Sequence, residues 1–231
     1  MYEAVDAENA AAADALVATA ARLGYDGLVV RGAEAAPDDA AVDVVPAVTV
    51  DAGPETAGSL VRDRRAAATL LLVRGGTPAR NRFATGEPRA DVLVGAVGPD
   101  EFPFDDVLAR AAARAGVRVA FDLGPVLRET GGTRVRAISA LARLHDLVET
   151  NDTPHVVTAG ADVPLGLRAP RALAAVGTAV GLPDGFVREG LREWGRLVAR
   201  NRDRAGDDWV MPGVRRGRYD PADWSEPEGD P

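Results

Sequence analysis

Seven short apolar runs recur along this chain, at Tyr2–Asp6, Gly27–Arg31, Val44–Asp51, Thr69–Arg74, Asp91–Val97, Arg118–Leu123 and His155–Ala159. The stretch Leu70-Leu71-Leu72-Val73 shows their character: every residue is apolar, and Arg74-Gly75-Gly76 ends it. A strand with one wet face alternates apolar and polar residues, whereas a strand covered on both faces does not. These runs read as strands of a parallel sheet with cover on either side. Helical patterns lie between many of them. Ala10–Arg22 stops at Gly24, Glu55–Ala68 is amphipathic, and Phe104–Ala115 precedes Gly116. The longest, Thr133–Glu149, sets Ile138, Leu141, Leu144, Leu147 and Val148 on one face, with Thr133 placed to cap it. Pro170–Val180 and Asp184–Arg200 follow the last run.

Repeated strand–helix units of this kind argue for an α/β fold with a parallel sheet. No Gly-x-Gly-x-x-Gly follows the first run, which favours a closed or nearly closed barrel over a dinucleotide-binding sheet. The units are short, so the expectation is a compact TIM-barrel-like domain over residues 1–211. From Pro212 the chain turns to Gly, Pro, Arg and acidic residues, with Tyr219 and Trp224 isolated among them. Residues 212–231 are expected to be a disordered, acidic, arginine-containing tail.

With 46% hydrophobic residues the chain can bury a full core, and the absence of cysteine excludes disulfide frameworks and thiolate metal sites. No run approaches the roughly 18 apolar residues of a membrane span, and Met1-Tyr2-Glu3 lacks the basic start of a secretory signal. A soluble, cytoplasmic protein is expected. All 27 basic residues are arginine, and the net charge is −8. An acidic, lysine-free surface fits a protein made in very salty cytosol from GC-rich codons, although codon bias alone would give much the same composition. Counterion release is weak in such salt, so a chain that contacts RNA there need not be basic overall. The charge is also unevenly spread: residues 1–60 hold eleven acids and two arginines, residues 168–204 eight arginines and four acids.

Catalysis in a barrel sits at the C-terminal strand ends. Those ends supply Asp6, Glu8, Arg31, Asp51, Arg74, Asp122 and Asp162. Asp6, Glu8, Asp51 and Asp122 are the weak candidates for a divalent cation ring. Solvated carboxylates are the plainer account of them in so acidic a chain. The two histidines, His145 and His155, fall on a helix and at a strand start, where structural or surface roles suffice. The serines, Ser59, Ser139 and Ser225, do not suit a catalytic triad. Gly75-Gly76, Gly131-Gly132 and Gly160 read as turns rather than phosphate cradles.

The arginines are more suggestive. Arg80 and Arg82 flank Asn81 in a polar link between two runs, an arrangement suited to an anion or a partner. Arg134 and Arg136 open the long helix, where cations oppose the helix dipole and an anionic partner would explain them. Arg168 and Arg171 bracket Ala169-Pro170 at another helix start, whose free amides also favour phosphate. Arg200-Asn201-Arg202-Asp203-Arg204 ends the last helix, where positive charge suits the dipole and needs no partner.

Three segments in order resemble a known family. They are Arg80-Asn81-Arg82-Phe83-Ala84 followed by Pro88-Arg89-Ala90-Asp91-Val92-Leu93, then Phe121-Asp122-Leu123 leading into Arg134–Leu147, then Thr158-Ala159-Gly160-Ala161 leading into Leu167-Arg168-Ala169-Pro170. Together, over about residues 1–204, they are similar to protein component 3 of archaeal and eukaryotic ribonuclease P, and the composition adds a halophilic archaeon as the source. The resemblance implies a fold related to the polymerase and histidinol phosphatase hydrolases. It also implies an accessory subunit of the ribonucleoprotein endonuclease that removes 5′ leaders from precursor tRNA. Catalysis would then belong to the RNA and its magnesium, with no cofactor bound by this chain. The implied partners are the ribonuclease P RNA, other protein subunits including a small pairing subunit, and precursor tRNA indirectly. The implied contact surface is Arg80, Asn81, Arg82, Arg168 and Arg171, with Arg134 and Arg136. Two departures stand out. The His-x-His pair of the related hydrolases is replaced by Asp6-Ala7-Glu8, and the family's serines before Gly160 are replaced by Thr158 and Ala159. The alternative is a metal-dependent phosphoesterase of the polymerase and histidinol phosphatase type, using the four carboxylates at the barrel mouth.

Overall fold

The computed structural model describes residues 1–32, 40–98 and 100–206, together with the backbone of two short paired strands at Trp209–Met211 and Val214–Arg215. Seven parallel strands form one sheet in sequential order: β1 (Tyr2–Asp6), β2 (Gly27–Arg31), β3 (Asp43–Val50), β4 (Leu70–Arg74), β5 (Val92–Val94), β6 (Arg118–Asp122) and β7 (His155–Thr158). The sheet curls into a nearly closed barrel, and its last edge meets its first through a bridge between Val5 and Ala161. The TIM-barrel-like α/β fold expected from the sequence is the fold observed. Apart from Val214–Arg215, the expected tail lies outside the described residues.

The helices are α1 (Ala10–Leu23), α2 (Pro54–Arg65), α3 (Pro78–Gly86), α4 (Asp106–Ala115), α5 (Gly124–Arg128), α6 (Gly131–Thr150), α7 (Pro170–Ala179) and α8 (Phe186–Ala205). Local chemistry sets several of their ends. Asn9 caps α1 by accepting from the Ala12 amide at 2.9 Å, and Asp105 caps α4 through the Leu108 amide at 2.9 Å. Gly24 and Gly116 close those helices in the left-handed region, at φ 82° and 69°.

Three expectations are corrected. The polar link carrying Arg80 and Arg82 is helix α3, begun by Pro78 and capped by Thr77. The fifth strand is only Val92–Val94, because Gly95 turns the chain at φ 63°. Helix α6 starts at Gly131, so Thr133 lies inside it and is not its cap.

Both faces of the strands are buried, except along β3, where Pro46 is exposed, and that is why their sequences run apolar. Val5, Leu28, Val30, Leu71, Val73, Leu93, Val119, Phe121 and Val157 face the helices. Ala4, Val29, Val45, Ala47, Leu70, Leu72, Val92, Val94, Ala120 and Val156 fill the barrel, and there they meet Trp194, Leu197 and Val198 of α8. Thus α8 closes the barrel, unlike the helices that cover its outside. Trp194 is fully buried and donates its indole N–H to the Val157 carbonyl at 2.9 Å, capturing an edge group of β7. Close passage requires Gly190, where an added Cβ would lie 2.8 Å from the Val157 nitrogen. The helix then crosses beneath the strand starts, held by Glu193 to Arg118 at 2.7 Å and Arg202 to Asp43 at 2.7 Å.

The seam between β1 and β7 is closed by a carboxyl group. Glu3 is fully buried. Its Oε1 accepts from the Thr158 hydroxyl at 2.6 Å and from the amides of Ala159 at 2.9 Å and Ala4 at 3.1 Å. Its Oε2 lies 3.2 Å from the Tyr25 hydroxyl, which also donates to the Arg168 carbonyl at 2.8 Å. Burial pushes the Glu3 pKa up to about 7, against the pull of these hydrogen bonds.

Candidate nucleic-acid interface

The mouth of the barrel is built by strand register. β1 and β2 end in register at Asp6 and Arg31, so their tips form an ion pair of 2.7 Å. Asp51, one residue past β3, takes Arg74 from the end of β4 at 2.9 Å and Arg80 from α3 at 2.9 Å. Asp122 ends β6 and accepts from the Gly124 amide at 2.7 Å. Its side chain reaches solvent at the rim, yet the protein packed around it raises its pKa, while Gly124 and the charges of Arg128 and Arg31 pull it down. Arg128 spans the neighbouring turn, donating to the carbonyls of Ala159 and Gly160 at 2.9 and 3.0 Å.

This arrangement corrects the cation ring sketched from Asp6, Glu8, Asp51 and Asp122. Among the described residues, no three acidic or imidazole side chains come together as a metal site. Asp6 and Asp51 are answered by guanidinium, and Glu8 is exposed on the way into α1. Carboxylates so paired offer a divalent ion little that would repay its lost water. The donor set does not suit a metal-dependent phosphoesterase.

The predicted contact residues all follow C-terminal strand ends, but their side chains are differently free. Asn81 is fully buried: its Oδ1 accepts from the Gly76 amide at 3.0 Å, and its Nδ2 donates to the carbonyls of Ala96 and Pro103 at 2.8 and 2.6 Å. It is a brace for three loops, and its assignment to a contact surface is corrected. Arg80 is engaged by Asp51, whereas Arg82 is exposed on the outer side of α3. Arg134 donates to the Glu129 carbonyl at 2.6 Å, and Arg136 pairs with Asp100 at 3.0 Å; Val135 between them is exposed. Arg168 wraps its own turn, donating to the carbonyls of Leu165 and Leu167 at 2.6 and 2.8 Å. Arg171 is exposed, beside a turn that presents Val163 and Leu165 at 52% and 88% exposure. His145 and His155 are structural: both rings pack on Phe186, His155 stacked at 3.8 Å, and burial lowers the His155 pKa.

Residues 4–205 match the protein family described as RNase P subunit p30. This chain belongs to that family. It is 46% identical to ribonuclease P protein component 3 of Halorubrum lacusprofundi, over 95% of this chain and 99% of the relative. The protein of the same name from Haloarcula marismortui is 45% identical, over 93% and 96% of the two chains. A chain in a cryo-EM structure of archaeal ribonuclease P with mature tRNA superposes with a TM-score of 0.75 at 19% identity, covering 91% of this chain and 96% of that one, and so shares the fold.

Within this p30-family chain the two noted departures acquire physical roles. Asp6 of the Asp6-Ala7-Glu8 triplet pairs with Arg31. The Thr158 hydroxyl points inward to Glu3 and the Ala4 carbonyl, which removes it from any outer surface. Arg128, Arg65 and Asp91 were not singled out from the sequence as site residues, and the latter two belong to the opposite end of the barrel.

Proposed function

We propose that this chain is a protein subunit of ribonuclease P that acts by bracing RNA and neighbouring subunits, supporting RNA-catalysed removal of the 5′ leader from precursor tRNA. The observation that carries this reading is the barrel mouth. In the place where a hydrolase of similar architecture would gather metal ligands, Asp6 and Asp51 are held by Arg31, Arg74 and Arg80. The fold retains its scaffold and presents arginines. Arg134 and Arg136 are exposed but engaged by Glu129 and Asp100, so Arg82 and Arg171 are the readiest contact candidates; guanidinium forks hold phosphate in a directional way that salt weakens less than diffuse charge. Leu165 and Val163 beside Arg171 form an apolar patch suited to a pairing protein subunit. The magnesium of the reaction would belong to the RNA.

Reconstitution of the particle tests this. The isolated chain is expected to leave precursor tRNA intact, and omitting it from the particle to slow leader removal at limiting magnesium. Arg82→Ala with Arg171→Ala should reproduce much of that loss while the chain still folds. Wild-type processing by a particle lacking the chain altogether would refute the role.

A further inference from the structure

A second basic surface lies at the other end of the barrel, beneath the strand starts. The last turns of α2 and α8 and the loop before β5 converge there on a groove of about 500 Å³. Its lining carries four arginines, Arg65, Arg89, Arg202 and Arg204, and one carboxylate, Asp91. Five arginines gather here, Arg200 included, and they share three carboxylate partners, Asp91, Asp43 and Glu87, in a chain of net charge −8.

Asp91 organises the groove from below. It is 3% exposed, and both its oxygens are saturated. Oδ2 accepts from Arg65 at 2.6 Å and from the Leu71 backbone amide at 2.8 Å, while Oδ1 accepts from Arg200 at 2.6 Å and from Asn201 Nδ2 at 2.9 Å. One carboxylate therefore serves two guanidiniums and leaves a surplus positive charge. Arg202 is held by Asp43 in a forked pair, whereas Arg89, in only a loose 3.9 Å pair with Glu87, and Arg204 stand exposed at the rim. Burial, and after it the charge of Arg118, lowers the pKa of Arg200 against the pull of Asp91, and Arg204 and Arg65 push the same way as Arg118.

Dipole compensation does not account for the assembly. A cation at a helix C-terminus contributes roughly 0.3–1 kcal/mol, and one per helix suffices. Here α2 turns Arg65 into the groove, the loop before β5 adds Arg89, and α8 brings Arg202 and Arg204. Concentrating them on one groove costs repulsion unless an anion answers it.

We propose that this groove receives the sugar–phosphate backbone of RNA, as a contact separate from the arginines around the mouth. The proposal rests on the ribonuclease P role and adds a location to it. The lining contains no aromatic ring on which a base would stack, so it suits phosphate positioning rather than base reading.

The test uses the full chain and a ribonuclease P RNA transcript from a halophilic archaeon, with affinity measured across a salt series. Arg89→Ala combined with Arg204→Ala removes the two rim cations and leaves the Asp91 cluster intact. Affinity should fall about tenfold at fixed salt, and the slope of log affinity against log salt should shrink by about 2. An unrelated RNA duplex should lose the same factor, and the melting temperature should not move. Unchanged affinity and slope in the double variant, beside a wild type that binds, would overturn the groove alone. Retained RNA affinity with lost association of another protein subunit would make it a protein-docking face and overturn the proposal. A wild type that binds no RNA, alone or within the particle, would overturn both this proposal and the role it rests on.

Discussion

The two ends of the barrel use the same residue types to opposite effect. At the mouth the carboxylates are about half exposed: Asp6 meets the mostly covered Arg31, and Asp51 meets Arg74 and Arg80. At the base, one buried carboxylate, Asp91, holds Arg65 and Arg200, and further arginines surround it. The contrast teaches that arginine count is a poor guide to an interface. What matters is how much positive charge stays unanswered, and how firmly the protein holds it in place. Water reaches all three partners of the Asp51 pairs, so each is worth little; the Asp91 carboxylate is buried, so losing it leaves its arginines uncompensated.

The largest expected effect tests that contrast directly. Asp91→Asn keeps the shape but strips the charge from beneath Arg65 and Arg200. Breaking a buried pair in this way costs about 3–5 kcal/mol. Denaturant melts in high salt should show that loss, and a change below about 1 kcal/mol would mean that water reaches the cluster after all.

Glu3 sharpens the comparison as a buried carboxyl hydrogen-bonded by hydroxyls and amides instead of arginine. Its pKa rises from 4.5 to about 7, so the folded state holds the proton more tightly than the unfolded chain. The stability it contributes is full below about pH 4.5 and is lost as pH rises through about 7. By linkage the span is about 3 kcal/mol. His155 acts with the opposite sign, because its lowered pKa makes the folded state resist protonation as pH falls. Comparing wild type with Glu3→Gln isolates the carboxyl. Glutamine keeps the acceptor for Thr158, Ala159 and Ala4 and turns an N–H toward Tyr25. The variant should therefore be the more stable protein at pH 8 and lose its advantage toward pH 5. Parallel pH profiles for the two proteins would rule out Glu3 as the titrating group.

Adjacent residues on α3 give the next contrast. Asn81→Ala leaves the Gly76 amide and the carbonyls of Ala96 and Pro103 without their partner, costing about 1–3 kcal/mol. Arg82→Ala should stay within about 0.5 kcal/mol, as an exposed substitution does, while lowering particle activity. Equal melting points for the two variants would contradict the different roles assigned to them.

The sequence exposed the strands because both of their faces are buried, and it placed Asp6, Asp51 and Asp122 at strand tips through the same runs. The Asp6–Arg31 pair went unread although both residues end adjacent runs, because nothing in the runs says that their strands are neighbours in register. Helix α3 was hidden because its buried face is Asn81, Ala84 and Thr85, none of them a large apolar residue. The job of α8 was hidden for another reason. An amphipathic helix that plugs a barrel carries the same periodicity as one that covers it, and only packing puts Trp194 inside. Asp91 was unreadable because its arginines lie 26 and 109 residues away along the chain.

The smallest expected effect concerns Asp51, with its side chain 52% exposed. Asp51→Asn frees Arg74 and Arg80 at once, so the mouth gains a positive charge without losing any packing. Stability should change by less than about 1 kcal/mol, since exposed pairs contribute little. Affinity for RNA should rise slightly if the mouth meets phosphate in the particle, because two guanidiniums no longer have a carboxylate to satisfy. It should not change at all if only the base groove and the outer arginines do. Melting curves and a salt series on this variant separate the two cases. A stability loss as large as that of Asp91→Asn would erase the distinction between the ends, because it would show that the mouth pairs are as shielded from water as the cluster beneath the strands.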